Sequence, residues 1–178
     1  FEEINKSIGL TYKYQWSTCD EFGFVKKSSI NNHSGDIIKI ELVDGIQNIL
    51  PWGVDEALQN STSNLVDAYK RNELEESSKI GIYSLSAIIV DKAEPSEALK
   101  ATIAWSVGIE NATYLVSSLQ VDNFRKGIEI EQEVDVRAEK GAYFVCAELT
   151  LQPETDKTWM IVANVNQSII TIKEISEK

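Results

Sequence analysis

Acidic side chains are the most plentiful reactive groups in this sequence, 28 Asp and Glu against 17 Lys and Arg, for a formal charge of −11. The chemistry such a surplus permits is glycoside cleavage, with one carboxyl as proton donor and a second as base or nucleophile across the scissile bond. Asp44, Asp55, Asp67, Asp91 and Glu94 are the candidates. No neighbouring residue singles any of them out, and charge on a solvated surface accounts better for each. His33 is the only histidine and sits in the turn-like "NNHSGD". One histidine cannot build a multi-histidine metal cluster or a Ser-His-Asp triad. In such a turn it is expected to face solvent. Cys19 and Cys146 lie far apart, with no CxxC or other metal spacing. Each falls in a strand-like stretch, where a free cysteine acts as a small buried hydrophobe, and pairing across the domain stays open. Neither GxGxxG nor a P-loop pattern occurs. The expectation is no catalytic residue, no metal site and no cofactor.

Aromatic residues offer a different chemistry. Sugars stack on flat rings with polar groups around them. Trp16, Trp105 and Trp159 lie within strand patterns, where core packing is the expected role. Trp52 follows Pro51 outside any strand period. It reads either as part of a lid packed on the domain, the preferred reading, or as an exposed ligand-binding platform, and it is the one ligand-binding candidate.

The elements that must position these residues read mainly as strands. "LTYKYQW" alternates large and polar residues, the period of a half-buried strand. "GFVKKSSI" and "DIIKIELVDG", split by turn residues, predict an antiparallel hairpin. "SNLVDAYKRNEL" reads as a strand with Leu65, Asp67, Tyr69 and Arg71 on one face. "KIGIYSLSAIIV", "EALKATIAWSVG" and "ATYLVSSLQV" follow as strands rich in β-branched and aromatic residues. "QVDNFRKG" is a tight reversal or one helical turn. "IEIEQEVDVRA" predicts a strand with Ile128, Ile130, Val134 and Val136 on an apolar face and acids on the other. "GAYFVCAELTL" and "KTWMIVANV" complete the series. The tail "NQSIITIKEISEK" reads as an amphipathic helix or an edge strand, with helix preferred. About ten strands at spacings of roughly 10 to 16 residues favour an all-β fold with one or two short helices, a two-layer antiparallel β-sandwich.

No repeat or linker divides the chain, so residues 1–178 are read as a single domain. It carries one excursion, at about residues 44–62. There "WGVDEALQNS" is long enough for about two helical turns, with Val54, Ala57 and Leu58 giving them an apolar side. Such a loop is expected to be ordered and to cover an end or edge of a sheet. Phe1, in place of an initiator methionine, reads as a processed or excised end. The acidic balance argues against nucleic acid or an anionic membrane as partner. The longest apolar runs are too short to span a bilayer as helices.

The segments "YQWSTCDEFGFVKKSSINN", "LVDGIQNILPWGV", "NLVDAYKRNEL", "SLSAIIVDKAEPSEALKATIAWSVG", "VDNFRKG" and "KGAYFVCAELTLQPETDKTWMIVANVNQ" carry a resemblance over most of the chain. Together they resemble the β-sandwich region of large bacterial carbohydrate-active proteins of the cellobiose and chitobiose phosphorylase type. In that family an N-terminal supersandwich precedes a helical linker and an (α/α)6 barrel, and the general acid and phosphate-binding residues belong to the barrel. Nothing here reads as that barrel, so no catalytic residue carries over. The family's sandwich is usually larger, which makes this chain a portion or a trimmed version of one. The resemblance implies a supersandwich-like fold, a catalytic (α/α)6-type domain or an oligosaccharide as partner, a homodimer, and a bacterial cytoplasmic setting. It also implies that the excursion faces a partner domain.

Two functional classes follow. In the first, the chain is a non-catalytic sandwich domain of a carbohydrate-processing protein, supporting a catalytic domain and touching glycan. In the second, it is a free-standing carbohydrate- or protein-binding module. An independent glycosidase is the least favoured reading, because no acid–base constellation stands out.

Overall fold

The computed structural model describes residues 1–86 and 100–177. Its main layer is an open eight-stranded antiparallel sheet with the order β1-β2-β3-β11-β7-β6-β5-β9. These strands are β1 (Glu2–Asn5), β2 (Leu10–Cys19), β3 (Gly23–Asn32), β11 (Asp156–Ser168), β7 (Lys100–Val107), β6 (Ile80–Leu85), β5 (Lys70–Glu75) and β9 (Asp135–Arg137). The second layer has three strands in the order β4-β10-β8, namely β4 (Ile38–Ile49), β10 (Gly141–Leu151) and β8 (Thr113–Leu115). Among the described residues four short helices accompany them: α1 (Glu56–Ser61), α2 (Ser63–Tyr69), α3 (Val121–Arg125) and α4 (Ile169–Ser176). The fold is the expected all-β sandwich.

The core lies between the two layers, and strand alternation builds it. Tyr143, Val145, Leu149 and Leu151 of β10 meet Ile30, Leu74, Tyr83, Trp159 and Ile161 of the large sheet. The outer faces are covered as well. Ile80, Ala101 and Ile103 on the back of the large sheet pack under Ile172 and Ile175 of α4, so the tail is the preferred helix. Trp105 is half-buried in this layer, edge-on to Phe22. On the back of the small sheet, Leu115, Ala142, Phe144 and Cys146 pack under Val121 of α3 and Ile130.

Two tyrosines tie the layers together reciprocally. Tyr83 of the large sheet donates its hydroxyl to the carbonyl of Ala142 on β10 at 2.6 Å. Tyr143 of β10 donates to the carbonyl of Lys79, in the β5–β6 turn, at 2.7 Å. Burial pushes both phenols well above their ordinary pKa, so both stay protonated donors at neutral pH. Gly81 makes the crossing possible, because a Cβ there would lie 2.7 Å from the Tyr83 hydroxyl and 2.9 Å from the Tyr143 ring.

Several sequence expectations are corrected. β3 and β4 do not form a hairpin, because both edges of β3 are occupied, by β2 and by β11, while β4 pairs with β10 in the other layer. Buried Asn32 turns the chain between layers. Its amide donates to the carbonyls of Asp36, Leu151 and Gln152, and its Oδ1 accepts from the Ser34 amide and hydroxyl. The strand read at "SNLVDAYKRNEL" begins only at Lys70, since residues 63–69 form α2 with Val66 buried. "ATYLVSSLQV" is a strand only over Thr113–Leu115.

"IEIEQEVDVRA" is a strand only at Asp135–Arg137. Ahead of it the chain wraps the small sheet, leaving Ile128 and Val134 exposed. Glu133, expected on the wet face, turns inward. Its carboxylate accepts from the amides of Val116 and Ser117 at 2.9 and 2.8 Å, and from Ser117 Oγ and Gln120 Nε2 at 3.0 Å each. Those bonds outweigh the alternation, because a buried carboxylate satisfied by four donors is tolerated where a bare one is not. Trp16, expected in the core, is 50% exposed on β2, on the same face as core residue Tyr12. The strand readings that run through residues 87–99 lie outside the described residues beyond Leu85 and before Lys100.

Crowding at the tyrosine pair gives a direct test. Gly81→Ala is expected to destabilise the protein by about 1–3 kcal/mol through overpacking. The check is the urea midpoint, with an unchanged slope.

Candidate functional site

The excursion bridges the two layers. β4 continues through Asp44 to Ile49, so the departure from the sheet covers residues 50–69 rather than the expected 44–62. Pro51 is buried, and Gly53 takes a left-handed φ of 87° that reverses the chain. Asp55 then caps α1, its carboxylate accepting from the Leu58 amide at 2.7 Å. Thr62 joins the two helices and donates its hydroxyl to the Leu58 carbonyl at 2.9 Å. Val54, Val66 and Leu85 form the apolar underside, with Leu50, Leu58 and Tyr69 beside them. Ala57, expected in this set, is exposed, and Val66 takes its place. Thr102 of β7 fixes the start of the segment by donating to the Leu50 carbonyl at 2.7 Å.

The excursion is therefore an ordered cover, but Trp52 is not what packs it down. The indole is 44% exposed, and the Lys100 ammonium lies 5.8 Å from its ring centroid. Flat aromatic surface with a cation beside it suits a ligand or partner surface.

Behind α1 and α2 lies a polar cleft of about 520 Å³. Its organising residue is Lys70, whose side chain is wholly buried. The ammonium donates to Gln59 Oε1 and to Asp67 Oδ1, each at 2.7 Å, and so holds one side chain from each helix. Gln59 Nε2 in turn reaches Asp67 Oδ1 at 3.4 Å. Burial works to raise the Asp67 pKa, but the Lys70 hydrogen bond and charge win and hold it below the usual carboxylate value. Asn60, Asn64 and Lys140 complete the polar wall. The sequence carried a usable signal for this group. Asp67 and Lys70 are three apart, an ion-pair spacing on a helix that the strand reading put on opposite faces.

Asp44, read as surface charge, is buried between the layers. Its carboxylate accepts from Trp159 Nε1 at 2.7 Å, Ser28 Oγ at 2.9 Å and the Tyr12 hydroxyl at 3.2 Å, and it pairs with the Lys26 ammonium. Burial, together with the Asp44 charge, raises the Tyr12 phenol to about 12 against the opposing Ser28 bond, so it remains a donor. With four donors around it, this acid is committed to structure. Asp55 is committed to its cap and Asp67 to Lys70. Asp91 and Glu94 lie outside the described residues. His33 is exposed, as expected. Among the described residues no group of three or more His, Cys, Asp or Glu side chains is arranged to hold a metal ion.

A second cleft, of about 630 Å³, lies on the back of the small sheet over Phe124, Ile128 and Cys146. On its rim Glu41 and Glu148 sit directly opposite each other on paired strands. Both cysteines are free thiols: Cys146 is buried, while Cys19, expected to be buried, is exposed at the end of β2. Burial, and then the charge of Glu133, pushes the Cys146 thiol up to about 12. Among the described residues no helix is long and apolar enough to cross a membrane.

No protein-family model matches this chain, and no curated protein matches it.

Two measurements check this part of the structure. Asp44→Ala leaves the Lys26 ammonium unpaired between the layers and is expected to cost about 3–5 kcal/mol. Lys26→Met combined with Asp44→Leu is expected to recover part of that loss in urea unfolding. In a thiol titration at neutral pH, the native protein is expected to react quickly at Cys19 alone, with Cys146 appearing only in denaturant.

Proposed function

We propose that this chain is a non-catalytic β-sandwich domain of a carbohydrate-processing protein, of the glycoside phosphorylase or hydrolase kind. It supports a catalytic (α/α)6-type domain and touches glycan. The observation that carries the reading is the two-sided construction of residues 50–69. An apolar underside anchors the excursion to the large sheet, and Trp52 is presented outward beside Lys100. A loop with helices and a core of its own holds an exposed ring at little entropic cost, which favours recognition. Leu65 adds exposed apolar surface to the same excursion.

The fate of the three candidate acids among the described residues supports a non-catalytic role. Asp44, Asp55 and Asp67 are engaged by fixed donors in three separate settings, where a glycosidase needs two carboxyls facing each other across a cleft. The resemblance in the sequence supports the choice of partner, a helical catalytic domain bearing the general acid.

Trp52→Ala in the full parent protein is the test. A hot-spot ring is expected to be worth roughly 2 kcal/mol, so docking of the catalytic domain or oligosaccharide affinity should fall by more than about tenfold. Domain docking is read by differential scanning calorimetry and sugar binding by titration calorimetry. If both stay at the wild-type level, the proposal fails.

A further inference from the structure

The cleft behind α1 and α2 has a composition that selects a ligand class. Its volume of about 520 Å³ falls within the range of small-molecule sites. Most of its lining side chains are polar, although apolar surface makes up nearly half of the wall, with Ile49 and Leu50 as the aliphatic residues. Lys70 and Asp67 neutralise each other, and Lys140 lines the same cleft within electrostatic reach of Asp67. A small anion would meet the Asp67 carboxylate and a small cation would meet Lys140. The amides of Asn60 and Asn64 offer donors and acceptors in equal measure. That mixture matches a neutral molecule dense in hydroxyl groups, each of which both donates and accepts.

Two of the polar groups, Gln59 and Asp67, are also held in place before any ligand arrives. The Lys70 ammonium fixes Gln59 on α1 and Asp67 on α2, and its own burial keeps water from competing for those bonds. Asp67 spends Oδ1 on Lys70 and Gln59, which leaves Oδ2 to accept from a ligand. A carboxylate oriented in this way accepts a ligand's hydrogen bond without the ordering cost that a free side chain would carry.

We propose that this cleft is a saccharide-binding site. Asp67 Oδ2 and the Asn60 and Asn64 amides engage sugar hydroxyls, Lys140 adds a donor, and Lys70 acts as the positioning residue. The inference rests on the glycan-contacting half of the proposed function and is independent of the domain-docking half. It assigns the contact to this cleft rather than to the Trp52 ring.

The experiment is titration of the chain, followed by NMR amide shifts and calorimetry, with cellobiose, N,N′-diacetylchitobiose and inorganic phosphate as probes. A disaccharide is expected to bind with a dissociation constant of about a millimolar and to shift the Asn60, Asn64 and Asp67 signals. Asn64→Ala and Lys140→Ala, both exposed positions, are each expected to weaken that binding about tenfold with unchanged unfolding midpoints. Sugar binding that survives both substitutions but is lost in Trp52→Ala would overturn the cleft assignment while leaving the proposed function intact. Absence of disaccharide binding at tens of millimolar would overturn the inference, and would leave the docking arm of the proposed function to its own calorimetric test. Tighter binding of phosphate than of either sugar would make this an anion site and would overturn the inference as well.

Discussion

A carboxylate enclosed between two sheets has to be met by donors from the opposite layer, and at Asp44 that requirement fixes how the layers fit. Its partners come from three neighbouring strands of the large sheet: Tyr12 on β2, Lys26 and Ser28 on β3, and Trp159 on β11. β4 therefore has one acceptable placement over this part of the large sheet. A slip of one residue along β4 would turn Asp44 outward, bring Val43 or Gly45 inward, and leave four buried donors unmet. The reciprocal tyrosines do the same work at the other end of the interface. Apolar packing supplies the drive to close the sandwich, while these polar contacts specify which closed form results.

The unequal width of the layers explains the remaining architecture. Three strands cannot cover eight, so other elements supply the missing cover. The excursion covers Leu85 of β6, while α4 lies across the back of β6 and β7. On the narrow layer, α3 and the stretch latched by Glu133 fill the same need. At the β2–β3 end, Trp16 and Phe24 stay exposed. The excursion is thus first a structural answer to a wide sheet, and its outward ring and its cleft are built on that answer.

The sequence made the fold class legible because alternation reports directly on half-buried strands, as at Tyr12–Trp16 of β2, while β10, buried on both faces over its first half, shows as a run of apolar residues. What it hid were contacts between residues distant along the chain. The β3–β4 hairpin was the natural reading of two strands and a turn, yet β3 had already been claimed by β11, more than a hundred residues later. The strand expected at Ile128–Val136 failed because periodicity cannot register that Glu133 has four donors waiting for it. Asp44 looked like surface charge for the same reason, since its partners are spread over Tyr12, Lys26, Ser28 and Trp159. Within the candidate site Trp52 stood out as an aromatic off the strand period. The Lys70 cluster did not, because a helix shorter than two full turns leaves a period too brief to separate from alternation.

The position of β11 carries a consequence for how the protein is made. This strand lies in the middle of the large sheet, between β3 and β7, although among the described residues it follows every other strand in chain order. Until it arrives, β1–β3 and β5–β7 are two unjoined ribbons, each with a bare edge where β11 will sit. The large sheet is therefore completed only once residues 156–168 have been made, and a nascent chain stalled short of residue 156 would present two sticky edges to chaperones and to other copies of itself.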